Sequence, residues 1–115
     1  IVNIHNPGDV ACGMEIRFKA KATVEKPKLL NVYTREHFKI RRIMEAGEVI
    51  TVTTHFGNKR VEVNKKGVIS TESCWDLAST FLQLAPGDNL LRYDADEGLD
   101  GLEIDIYYCP QYVGV

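Results

Sequence analysis

The chain has 115 residues, 44% hydrophobic and 26% charged, with a formal net charge of -2. That is the size of one ordinary domain, long enough to bury roughly two-thirds of its unfolded surface. The near-neutral balance argues against the basic face of a nucleic-acid binder, and no apolar run approaches the ~20 residues of a membrane-spanning helix, so neither nucleic acid nor membrane is an expected partner.

The chain opens Ile1-Val2-Asn3 without a Met or a signal-peptide pattern, which predicts a piece of a longer protein. Val2 to His5 reads as a short strand, and Pro7-Gly8-Asp9 as a turn. From Met14 to Val24 every even position is apolar and, Ala20 and Ala22 counted among the apolar, every odd one polar. Period two over that length predicts one long strand with a buried face. Leu29 to Thr34 and Phe38 to Ile43 are further strand candidates, joined by a turn over Thr34 to His37.

Glu48 to Phe56 and Lys59 to Asn64 flank Gly57-Asn58, a pair suited to a two-residue hairpin turn. Setting Phe56 opposite Lys59 places Thr54 opposite Val61 and Val52 opposite Val63, with Ile50, Val52, Val61 and Val63 on one face. Gly67, after Lys65-Lys66, predicts a second tight turn into Val68 and Ile69. Ser73 to Ser79 reads as one helical turn capped by Ser73. Phe81 to Leu84 and Leu90 to Tyr93 are strand candidates, with a Pro86-Gly87-Asp88 turn between them. Leu102, Ile104, Ile106 and Tyr108 alternate with Glu103, Asp105 and Tyr107 in a last half-buried strand. About nine short strands with no amphipathic helix predict an all-β fold over 1–115, a single two-sheet antiparallel β-sandwich or jelly roll. A lone sheet would leave its apolar face in water.

Chemistry-bearing residues do not assemble into a motif. His5, His37 and His55 fall on different elements, with no His-x-His or His-Glu-x-x-His spacing. Ser70, Ser73 and Ser79 lie outside any Gly-x-Ser-x-Gly elbow, and nothing beside Cys74 lowers its pKa. Cys12, Cys74 and Cys109 lack a Cys-x-x-Cys pair. They read as free buried thiols of a reducing compartment, with one disulfide and one free thiol as the alternative. Asp94, Asp96 and Asp100 set hard oxygens at the start of a calcium-loop pattern. Gly98 falls at the third ligand slot and the downstream Glu is missing, so the reading is a solvated acidic turn. No catalytic residue, cofactor or metal site is expected. Lys59, Arg60, Lys65 and Lys66 decorate the hairpin ends; they suit either an acidic partner or, more commonly, the protection of an edge strand. Trp75 and the five tyrosines can stack on sugar rings but are scattered, apart from Tyr107-Tyr108, and read mainly as packing residues.

An ordered set of turns carries a resemblance. Asn6-Pro-Gly8-Asp9 is followed by Pro27 and Asn31 before Thr34-x-Glu36, then Ala46-Gly47-Glu48 with a Val-Ile-Thr-Val strand. Next come Gly57-x-Lys59-x-Val61 with Asn64, and Phe81-Leu-Gln-Leu84-Ala-Pro86-Gly87-Asp88-Asn89. The end is Ile104-Asp-Ile-Tyr-Tyr108 and a terminal Tyr112-Val-Gly-Val. In this order the chain resembles the siphovirus tail-component family, at the C-terminal domain of the distal tail protein. The resemblance implies a galectin-like β-sandwich that follows a ring-forming N-terminal domain in a homo-hexamer at the phage tail tip. It implies the tail tube and a tail-fibre or receptor-binding protein as partners. Its place would be the virion tail, after assembly in the bacterial cytoplasm. A carbohydrate-binding module that grips a host surface saccharide is the competing function, suggested by the sandwich class and the aromatics.

Overall fold

The computed structural model describes residues 2–55, 58–71, 74–76 and 79–110. In chain order the strands are β1 (Val2–Asn6), β2 (Met14–Ala20), β3 (Val24–Glu25), β4 (Lys28–Asn31), β5 (His37–Lys39), β6 (Ile43–Met44), β7 (Val49–His55), β8 (Asn58–Lys65), β9 (Val68–Thr71), β10 (Gly87–Asp94) and β11 (Leu102–Tyr108). One 3-10 turn, Leu99–Gly101, precedes β11. A four-stranded sheet has the order β1-β10-β4-β5 and a five-stranded sheet the order β11-β2-β7-β8-β9; β3 and β6 form a small ribbon. Every ladder is antiparallel.

Alternation explains how the two large sheets become a sandwich. β2 buries Met14, Ile16, Phe18 and Ala20 and turns Glu15, Arg17 and Lys19 outward. Its neighbours follow suit: Ile50 and Val52 on β7, Val61 and Val63 on β8 and Leu102 on β11 all face inward. Against them lie Leu29, Phe38 and Leu91 of the four-stranded sheet, in one continuous core. Full burial of a side chain of this size is worth about 1.5–3 kcal/mol. On the outer face the basic row of β2 meets the acidic row of β11, with Lys19 at 2.5 Å from Asp105 and Lys21 at 2.9 Å from Glu103. These pairs are exposed, so they favour the register more than they add stability.

The long strand expected to reach Val24 stops at Ala20. The Lys21 N–H leaves the ladder and donates to the Gly101 carbonyl at 2.7 Å. The 94–101 turn crowds this stretch, because a Cβ at Gly98 (φ 78) would sit 2.1 Å from the Thr23 carbonyl oxygen. Val24 therefore enters the core from a separate strand paired with β6. The candidate over Leu29 to Thr34 ends at Asn31, whose side-chain oxygen accepts the N–H groups of Tyr33 (2.9 Å) and Thr34 (3.1 Å). That turn starts earlier than expected. Phe38 to Ile43 divides into β5 and β6, since Ile40 leaves the ladder to bridge Trp75.

The β7–β8 hairpin keeps its predicted buried face but not its predicted register. Val52 lies opposite Val61 and Ile50 opposite Val63, with His55 opposite Asn58. A two-residue slip returns every side chain to the same face, so alternation alone does not separate the two registers. The observed one matches two core residues with two core residues; the expected one would have set Ile50 against Lys65. Residues 56 and 57, between the strands, lie outside the described set.

Lys66 (φ 51) and Gly67 (φ 83) form the predicted tight turn into β9, both in the positive-φ region that a type I′ hairpin demands. Of the helical turn expected over Ser73 to Ser79, residues 73, 77 and 78 are outside the described set. Cys74 to Asp76 instead run beside Lys39 to Arg41, with the Asp76 N–H on the Lys39 carbonyl at 2.9 Å. Phe81 to Leu84 form no strand: Leu84 alone makes a bridge, to Cys12, while Leu82 and Leu84 fill the core. β10 and β11 run as expected, β10 longer at both ends.

Removing the Phe18 ring tests this core. Phe18→Ala is expected to lose about 3–5 kcal/mol in urea unfolding, whereas Val68→Ala on the exposed β9 should stay within about 0.5 kcal/mol of the parent.

Candidate interaction surfaces

The loops that join the two sheets are held by buried polar side chains. The Asn6 amide donates to the carbonyls of Leu84 (3.0 Å) and Val10 (3.2 Å), and its oxygen accepts the Gly8 N–H at 2.9 Å. Asn89 repeats the device: its oxygen accepts the Ala85 N–H at 2.9 Å and its amide donates to the Ala85 carbonyl at 2.8 Å. Thr54 spans to β2, accepting the Met14 N–H at 2.9 Å. Glu48 is bound by Arg42 at 2.7 Å and accepts the Glu45 N–H. Burial alone would raise the pKa of Glu48; the Arg42 and Glu45 hydrogen bonds, with the charges of Arg42 and Lys65, outweigh it and hold the carboxyl below its ordinary value. Asn6, Asn31, Glu48 and Asn89 are all buried, and each belongs to one of the turn motifs quoted above.

The chemistry-bearing side chains stay dispersed. His5, His37 and His55 sit on β1, β5 and β7. His5 meets Asp88 across the β1–β10 ladder at 2.9 Å, with both side chains open to solvent. Ser79 accepts the Lys39 N–H at 2.9 Å in a packing role, Ser70 lies on exposed β9, and Ser73 is outside the described residues. The three cysteines are free, but they are not uniformly buried: Cys12 is, Cys74 is half-buried and Cys109 is exposed. Burial, with Cys109 nearby, pushes the Cys12 thiol up, the opposite of an activated nucleophile. Asp96 is held by Lys39 at 3.2 Å, and Asp94 accepts the Ala95 N–H at 2.8 Å. The turn that carries them with Asp100 is tied by backbone bonds to Glu25. Among the described residues no three His, Cys, Asp or Glu side chains converge as a metal-holding group. Trp75 packs on Phe81 (5.4 Å between centroids) and Phe38 (6.3 Å), and Tyr107 lies under Arg17 at 4.7 Å.

Three surfaces among the described residues stand out. An apolar groove of about 310 Å³ opens where edge strands β1 and β11 meet, over Ile4, Leu91, Ile104 and Ile106. The half-burial of Ile104 and Ile106, expected in the core, follows from this gap between the sheet edges. A wider polar groove of about 400 Å³ crosses the outer face of the five-stranded sheet. Its charges answer one another, Arg17 to Glu15 at 2.9 Å and Lys19 to Asp105 at 2.5 Å.

The third surface is β9. Val68 and Ile69 are 69% and 62% exposed, and all four residues of the strand are open. No described residue pairs with its outer edge. The two-residue turn makes Lys65 and Val68 a hydrogen-bonded pair, so Val68 and Ser70 bond inward to β8. The N–H and C=O of Ile69 and Thr71 consequently face outward. The cationic residues named above sit on β8 and in the turn, leaving this edge strand without a charge or a proline. Sequence reasoning found the strand but not its exposure: Ile69, opposite Asn64, turns to the outer face by alternation, and Val68, opposite Lys65, lies on the inner face at a margin that no described residue covers.

The comparison by sequence gives the family. Residues 7–112 match the model of the siphovirus-type tail component, C-terminal domain. The chain belongs to that family. No curated protein and no solved structure matches it. Membership makes this a phage tail-component domain. The terminal Tyr112-Val-Gly-Val lies outside the described residues.

Glu48 gives the tail-component domain a pH signature. With its folded pKa lowered from an ordinary 4.5, its contribution is present above that pH and lost as pH falls through the folded value. Glu48→Gln should be less stable than the parent at pH 7 and lose less on acidification from pH 5 to pH 3, as read by urea midpoints. Parallel pH profiles would count against the role assigned to this carboxylate.

Proposed function

We propose that this chain is the outward-facing, non-catalytic domain of a tail-tip or baseplate hub protein, and that it docks other tail proteins through its sheet edges and loops. On this reading it follows a ring-forming domain, and the full-length protein closes as a homo-hexameric ring between the tail tube and a tail-fibre or receptor-binding protein. It would work in the virion tail, having been assembled in the bacterial cytoplasm.

The observation that carries the reading is the family match over 7–112. Topology supports it. A preceding domain would join at Val2 on β1, which borders β11; β9 closes the opposite margin of the five-stranded sheet. A ring on one side and a docking edge on the other suit an adaptor. The saccharide alternative rests on scattered aromatics: Trp75 spends its ring on Phe38 and Phe81, Tyr107 carries Arg17 on one face, and the exposed Tyr33 lies on the other sheet's β4–β5 turn.

The test is location. Epitope-tagged protein should co-sediment with purified tails, and antibody-gold should label one end of the tail. Its absence from tail particles would overturn the assignment. Binding to a glycan array, lost on Tyr107→Ala, would favour the saccharide reading instead.

A further inference from the structure

We draw no further inference here: the strongest candidate, the apolar groove of about 310 Å³ between edge strands β1 and β11, carries none because nothing in the structure shows what covers it.

Discussion

Buried polar side chains at the turns are the constraint on which this structure depends. A buried amide or carboxylate whose hydrogen bonds are left unmade costs about 1–3 kcal/mol. Here the main chain of the turns answers each one: Asn6 in the first loop, Asn31 at the turn that follows β4, Glu48 at the turn into β7 and Asn89 at the turn into β10. Asn6 and Asn89 brace neighbouring loops, since Asn6 donates to Leu84 and Asn89 accepts from Ala85. That region is where the N-terminal strand and the Pro86-Gly87 turn come together, through the β1–β10 ladder.

This gives residues that look like mere turn formers a second role in the fold. Gly and Pro set backbone angles and are interchangeable among many folds. A buried Asn just before a Pro-Gly pair, as Asn6, or two residues after one, as Asn89, is far less so, because its amide has to reach particular carbonyls. With the loops braced this way and the core filled by alternating strands, function is left to margins. The polar groove on the outer face neutralises its own charges, the β1–β11 groove is apolar, and the β9 edge is open, uncharged and bordered by lysines.

Much of the fold was legible because period two is a strong signal where one face is dry. β2 and β11 follow directly from their alternation, and the Lys66-Gly67 turn from its chemistry. What escaped was set by contacts distant in sequence. The end of β2 is decided by Gly98 and Gly101, some eighty residues downstream. The β7–β8 register is decided by pairing core residue with core residue, which a period-two pattern leaves open by two. Phe81 to Leu84 carry strand-forming residues but cross the end of the sandwich, where the backbone meets Cys12 at one point only. The candidate surface was less legible than the fold. Val68 and Ile69 look like core in a sequence, but the pairing of β9 with β8 turns Ile69 to the outer face and leaves Val68 at the margin of the inner one. The lysines were visible, but not that they flank the edge strand rather than occupy it.

The claim that buried amides brace these turns is tested most directly at Asn89. Asn89→Ala removes the hydrogen bonds that this buried side chain makes to Ala85, Ile4 and Gly87, so urea unfolding should show a loss of about 1–3 kcal/mol, with the exposed Asn3→Ala as a near-neutral reference. A loss at Asn89 no larger than that at Asn3 would contradict the account.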